Sequence, residues 1–167
     1  MRFSVKKRTH FSSICFLSAL TFTCAAQSFD ASIRTIHVAD SDNIAFAGSG
    51  GFIGYTSTGG ETWDTTRWAV KTPEDSIIHP SFRSCYIVED KILAVGISAP
   101  GFIIRAPLND LHSSTVVHAD YDERTFWDSM QFWDSNNGIV MGDPTGDCLS
   151  VYITNNSGDD WQRVDCS

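Results

Sequence analysis

Ser32-Ile33-Arg34-Thr35-Ile36-His37-Val38-Ala39-Asp40-Ser41-Asp42-Asn43-Ile44-Ala45-Phe46-Ala47-Gly48 aligns without a gap on Phe126-Trp127-Asp128-Ser129-Met130-Gln131-Phe132-Trp133-Asp134-Ser135-Asn136-Asn137-Gly138-Ile139-Val140-Met141-Gly142. Between them lies a third copy, one residue shorter, from Ser81-Phe82-Arg83-Ser84-Cys85-Tyr86 to Ile92-Leu93-Ala94-Val95-Gly96. The closing glycines are 48 and 46 positions apart. A period in the forties, written as short apolar runs broken by Gly and Asp/Asn, is the length of one four-stranded propeller blade. The expected fold is therefore all-β, a β-propeller with three four-stranded blades present, at approximately 28–76, 77–119 and 120–167. Few stretches sustain a helical period, so almost no helix is expected beyond the N-terminus.

Each copy divides in the same way. A first apolar run (Ile33 to Val38, Phe82 to Val88, Phe126 to Trp133) leads into an acidic turn. A second run of small apolar residues ends on the repeating glycine, and a third follows a Gly/Pro turn. Small residues suit strands packed tightly between neighbouring sheets. Between the third and fourth runs stand Thr56-Ser57-Thr58-Gly59-Gly60-Glu61-Thr62-Trp63 and Thr154-Asn155-Asn156-Ser157-Gly158-Asp159-Asp160-Trp161. Both resemble the Asp-box, Ser/Thr-x-Asp-x-Gly-x-Thr-Trp, in which a short polar side chain ties the hairpin, Gly takes a positive-φ corner and Trp packs beneath. Thr58 and Asn156 replace its Asp, and the second blade has Ala106-Pro107-Leu108-Asn109-Asp110 instead. The resemblance assigns Thr56, Thr58, Gly60, Trp63, Thr154, Asn156, Gly158 and Trp161 a structural role.

On these motifs, with Gly50-Gly51-Phe52-Ile53-Gly54 and Gly142-Asp143-Pro144, residues 27–167 resemble the BNR/Asp-box propellers of exported bacterial proteins similar to the photosystem II stability and assembly factor. The resemblance implies a sialidase-like fold acting as a protein-binding or assembly scaffold. Its alternative is a glycoside hydrolase, and fold alone does not choose between them.

Residues 1–26 differ in kind. A basic start (Arg2, Lys6, Lys7, Arg8), an uncharged run from Phe11 to Phe22 and Cys24-Ala25-Ala26 have the layout of a signal peptide cleaved after Ala26. A periplasmic or extracellular location is expected. Lipid attachment through Cys24 is the rival, which Thr21 and Thr23 fit poorly. Without the leader, eight Lys/Arg stand against twenty Asp/Glu, a net charge of −12 over 141 residues. That balance argues against nucleic acid and anionic membranes as partners, and the apolar run is too short for a comfortable span. Cys85 reads as buried packing, whereas Cys148 and Cys166 could pair or stay free.

Arg34, Arg83 and Asp128 hold the same position of the first run in all three copies. First strands line a propeller's channel, so these side chains should project around one axis. The favoured reading is a stitch between blades, with an anion clamp as the alternative. A sialidase-type enzyme needs three clamping arginines and a Tyr/Glu nucleophile pair, which are not recognisable here, so no catalytic residue is assigned. Asp143 and Asp147, in a loop after Gly142, could reach the channel mouth, although turn formation accounts for both. Gly48-Ser49-Gly50-Gly51-Phe52-Ile53-Gly54 lacks the following helix of a dinucleotide fingerprint and reads as a β-turn. The histidines lack ligand spacing, so neither metal nor cofactor is expected. Trp127 and Trp133 read as inter-blade core, with a carbohydrate platform the lesser alternative. Three repeats do not close a ring, so the sequence is expected either to belong to a protein about twice as long or to close by association.

Overall fold

The computed structural model describes residues 30–166, and the expected leader, with Cys24 and the Ala26 cleavage site, lies outside them. Among the described residues every regular element is a β-strand. The first sheet contains β1 (Ile33–Val38), β2 (Ile44–Gly48), β3 (Phe52–Thr56) and β4 (Asp64–Arg67), antiparallel in chain order. A small hairpin, β5 (Val70–Lys71) and β6 (Ile77–Ile78), leads to the second. That sheet comprises β7 (Ser81–Val88), β8 (Lys91–Ile97), β9 (Gly101–Pro107) and β10 (Thr115–Asp120). The third comprises β11 (Trp127–Phe132), β12 (Gly138–Thr145), β13 (Cys148–Thr154) and β14 (Gln162–Arg163). The fold is a β-propeller, and β1, β7 and β11 are the innermost strands of neighbouring blades.

Polar turns set the hairpins. The Asp40 carboxylate accepts from the backbone N–H groups of Asp42 and Asn43, both at 2.8 Å, and Asp134 does the same for Asn136 and Asn137 at 2.8 and 2.7 Å. These bonds hold both carboxyls below the usual carboxylate range, the side chains of Asn43 and Asn137 contributing most. Blade 2 instead turns directly through Glu89 and Asp90, with Glu89 at φ 52°. That shorter turn removes the one residue by which its copy differs from the others.

The repeating glycines share one environment. Ile33, Phe82 and Trp127 pair with Gly48, Gly96 and Gly142, and in each blade the register then slips by one residue. A Cβ on any of these glycines would overlap the carbonyl oxygen of Ser32, Ser81 or Phe126 respectively. Close backbone approach therefore demands glycine at these positions. The Gly50-Gly51 pair turns between β2 and β3, with no helix after it.

The core is two layers lying between blades. Call a blade's leading face the one toward the preceding blade, and its trailing face the one toward the next. Ala45, Ala47, Ile53 and Tyr55 on blade 1's trailing face share a buried cluster with Phe82, Cys85, Ile87, Ala94, Phe102 and Ile104 on blade 2's leading face. Val88, Leu93, Val95 and Ile103 of blade 2 share the other with Trp127, Met130, Phe132, Val140, Tyr152 and Trp161 of blade 3. Small residues on one side and large ones on the other let the sheets interdigitate. Trp127 is fully buried, whereas Trp133 is 63% exposed on a face that no described blade covers. It holds the trailing-face place of the buried Val88, on a blade with no described neighbour on that side.

Polar stitches cross both layers. The Ser84 hydroxyl accepts from the Met130 N–H at 3.0 Å and lies 3.4 Å from the Met130 carbonyl, joining β7 to β11. Between β1 and β7, the Ile87 N–H donates to His37 Nδ1 at 3.1 Å, and the imidazole lies 3.8 Å from the Tyr86 ring. Burial pushes the His37 pKa down, and that of His118 likewise against the opposing pull of Asp120. Cys85 is buried and free, its thiol pushed up to about 12 by that burial against hydrogen bonds with Thr35 and the His37 backbone. Cys148 and Cys166 form a disulfide with Cα atoms 5.6 Å apart, tying the chain beyond β14 back to the start of β13.

Two outcomes are expected. Gly96→Ala should destabilise by about 1–3 kcal/mol, as overpacking does, in urea unfolding followed by tryptophan fluorescence. A histidine kept neutral by folding gives stability that is complete above the unfolded pKa of about 6.5 and is lost as pH falls toward the folded pKa. The unfolding midpoint should therefore fall between pH 7.5 and 5.5, and His37→Gln should flatten that slope.

Candidate functional site

The register slip in each blade is a β-bulge, and the extra residue is Arg34, Arg83 or Asp128. A bulge bends the strand and re-aims the side chain it carries. The three positions expected to match are thus structurally equivalent, one on each innermost strand. Arg83 and Asp128 are brought together, with Arg83 Nε 3.6 Å from Asp128 Oδ1. The Arg83 guanidinium also lies over the Phe126 ring, 5.5 Å from its centroid. At 37% and 46% exposure, the two side chains remain open to a ligand. Arg34 is exposed and has no ion-pair partner among the described residues.

Asp143 departs from expectation in its setting. β12 continues through Gly142 to Thr145, so Asp143 stands on a strand, and its N–H donates to the Phe126 carbonyl at 2.9 Å. That bond places its backbone beside the start of β11, next to the Asp128 bulge. Asp147 lies in the tight turn joining β12 to β13. Two further arginines are engaged away from these positions. Arg124 pairs with Asp122 at 2.7 Å, holding that carboxyl at about 2, and Arg105 pairs with Asp159.

The two Thr-to-Trp turns share the bonds that tie the hairpin. Thr56 Oγ1 accepts from the N–H groups of Thr58 and Gly60, both at 3.1 Å, and Thr154 Oγ1 accepts from Asn156 at 3.4 Å and Gly158 at 3.1 Å. Thr58 Oγ1 then accepts from the Thr62 N–H at 2.9 Å, and Asn156 Oδ1 from the Asp160 N–H at 3.0 Å. Thr58 and Asn156 therefore supply the acceptor that an aspartate would. Gly60 and Gly158 have φ of 94° and 80°, the left-handed corner. Trp161 is buried, donates to the Gly158 carbonyl at 3.1 Å and meets Phe132 edge-on. Trp63 lies 4.9 Å from Phe46 but stays only half-buried, because no described blade covers that face.

One polar cluster was not legible in the sequence. Asp159, at the tip of the blade 3 turn, receives both Lys91 (2.8 Å) and Arg105 from blade 2. It locks the outer rims together beside an open groove of about 340 Å³ lined by Asp90, Lys91, Arg105, Pro107, Ser113 and Thr115. Its available signal was an acid at the tip of a turn in which Thr154, Asn156 and Asp160 bond one another. Among the described residues no group of three His, Cys, Asp or Glu is placed to hold a metal ion.

No protein-family model matches this chain, and no curated protein matches it. Among solved structures it is similar to the chain described as "YCF48 bound to D1 peptide", with a TM-score of 0.59 and 17% identity over 80% of its length. The match spans 39% of that chain. At such identity the likeness shows the fold, a β-propeller.

Thr154→Val should remove the oxygen serving two turn N–H groups and leave buried donors unsatisfied, costing about 1–3 kcal/mol. Urea unfolding should show that loss, and Thr154→Ser, which restores the hydroxyl, should recover most of it.

Proposed function

We propose that this chain belongs to an exported, non-catalytic β-propeller that binds a protein partner on its channel face, through Arg34, Arg83 and Asp128 with Asp143 beside them. The observation that carries the reading is the recurrence of one bulge on all three innermost strands, each presenting a charged side chain. Bulges next to functional sites re-aim side chains, and nothing in blade packing requires Arg34, which is exposed. The solved propeller bound to a D1 peptide supports a peptide as the class of partner. An exposed guanidinium with no ion-pair partner among the described residues suits a carboxylate on that peptide, by charge-assisted, bidentate contact. Arg83 has a double role, with its ion pair to Asp128 joining blades and its exposed edge available to the partner.

The two Thr-to-Trp turns are, in this reading, Asp-boxes that brace the rim. Residues 1–26 are a signal peptide, and the mature chain starts at Gln27 in the periplasm or outside the cell. The Cys148–Cys166 disulfide supports an oxidising compartment. Amino-terminal sequencing of the protein recovered after export should begin at Gln27, whereas a lipid on Cys24 would replace this leader reading.

Binding is tested with a fluorescein-labelled acidic peptide ending in a free carboxylate, followed by anisotropy against its amidated form. The free acid should bind more tightly and weaken with salt, as exposed ion pairing requires. Arg34→Ala should weaken it at least about fivefold, the loss of roughly 1 kcal/mol of charged hydrogen bonding, with the melting temperature unchanged. Arg83→Ala should lower both binding and stability. Equal binding by Arg34→Ala would sink the assignment, as would hydrolysis of fluorogenic glycosides that Arg83→Ala abolishes.

A further inference from the structure

Blade 2 departs from the repeat in two places, and both border one groove. Its first turn is short, running through Glu89 and Asp90, and the segment after Ala106 replaces the Thr-to-Trp turn of the other two blades. Asp90 and Lys91 from the first, and Pro107, Ser113 and Thr115 from the second, line the open groove of about 340 Å³ together with Arg105. Blade 2 has a described neighbour packed on each of its faces, so this groove lies within the array. It sits at the turn end of the β7–β8 hairpin, whereas Arg83 stands at the other end. The channel-face positions and the groove are therefore separate.

Charge sets this groove apart from the same places in the other blades. Five residues before the repeating glycine, Lys91 stands where blade 1 has Asn43 and blade 3 has Asn137. Arg105 pairs with Leu93 as Tyr55 pairs with Ala45 and Ile153 with Ile139, so those three positions also correspond. In blade 1 the two side chains satisfy each other, the Tyr55 hydroxyl donating to Asn43 Oδ1. Blade 2 puts two cations there, which repel each other, although blades 1 and 3 show that the fold needs no charge at either position.

A single oxygen, Oδ1 of Asp159, accepts from both Lys91 and Arg105. One carboxylate between two cations leaves a positive charge in excess. The Lys91 side chain is only 14% exposed, a setting in which a cation needs anions close by. Asp90 does not supply one, since among the described residues it forms no ion pair. Arg105 donates through Nη1 alone, which leaves the rest of its planar fork for a second carboxylate. On the remaining walls are acceptors: the Asp90 carboxylate, the exposed Thr115 hydroxyl, and Ser113, whose own proton goes to Asp110. A polyanion would meet Asp90, whereas a single carboxylate with hydroxyl groups satisfies both sides. The volume is at the lower end of the roughly 300–1,000 Å³ typical of small-ligand sites.

We propose that this groove binds a hydroxylated carboxylate the size of one sugar acid, its carboxylate on Lys91 and Arg105 and its hydroxyls toward Asp90, Ser113 and Thr115. The site is independent of peptide binding on the channel face.

The test is an NMR titration of the protein with sodium glucuronate, compared with glucose and with the α-amide of N-acetylaspartic acid. Glucuronate should shift the amide signals of Lys91, Arg105 and Thr115 and saturate. Glucose lacks the carboxylate and the aspartate derivative lacks the hydroxyls, so each should bind at least about fivefold more weakly. Lys91→Asn combined with Arg105→Tyr installs the neutral pair of blade 1, and this variant should stay folded and bind glucuronate at least about tenfold more weakly. Asp159→Asn removes the competing carboxylate and should tighten glucuronate binding at least about threefold, a gain that cations serving only to join blades would not give. That second variant decides the matter whether or not the first one folds. No saturable shift with glucuronate, equal binding of glucose, or no tightening in Asp159→Asn would each overturn the site. Equal binding of the aspartate derivative would overturn the sugar acid in favour of an acidic side chain.

Discussion

One close contact recurs in every blade and positions much else: the carbonyl of Ser32, Ser81 or Phe126 occupies the space where a Cβ would stand on Gly48, Gly96 or Gly142. Only glycine lets the first strand approach its neighbour so closely. The pairing then slips by one residue, and the slip places Arg34, Arg83 and Asp128 at equivalent bulges. The same device thus sets the geometry of the innermost strands and the location of the charged side chains on them. A structural constraint and a candidate binding feature share one cause.

Stability comes chiefly from the layers between blades, since each sheet has two faces and cannot bury either alone. Alanines at 45 and 47 let blade 2 pack closely on blade 1, while Leu93 and Val95 meet larger partners on blade 3. Several polar groups inside these layers are joined across them, as buried donors and acceptors favour. Ser84 serves the Met130 backbone, Tyr86 donates to the Phe132 carbonyl at 3.0 Å, and Trp68 donates to the Leu111 carbonyl at 2.8 Å. His37 belongs to the same set and brings a titratable group into a blade junction.

Local structure explains several of the acidic residues. Asp40, Asp110, Asp122 and Asp134 each accept backbone N–H groups within their own turns. Their carboxyls titrate below the usual range because hydrogen bonds from the side chains of Asn43, Ser113, Arg124 and Asn137, and then from those backbone groups, favour the ionised form. Asp159 reaches across a rim and Asp128 across the channel face, joining blades rather than closing turns. Acids of the same type thus divide into two functions, decided by where each turn or strand points.

The repeat itself determined the fold class: a period in the forties, the recurring glycine and the acidic turns led to three four-stranded blades, and the turns ending at Trp63 and Trp161 were legible from their polar spacing. Local chemistry governs all of these, and local chemistry is written in consecutive residues. The equivalence of Arg34, Arg83 and Asp128 was also readable, because it follows from register within the repeat. Only the tertiary structure decided that Arg83 meets Asp128 while Arg34 stands apart, and that Asp159 holds Lys91 and Arg105. It also decided that Trp133 is exposed although Trp127 is buried, and that Cys148 bonds Cys166. These outcomes depend on which face of a strand meets another blade, and on whether a neighbour is present there. Distances across a junction are fixed by packing between residues far apart in the chain, which no local pattern encodes.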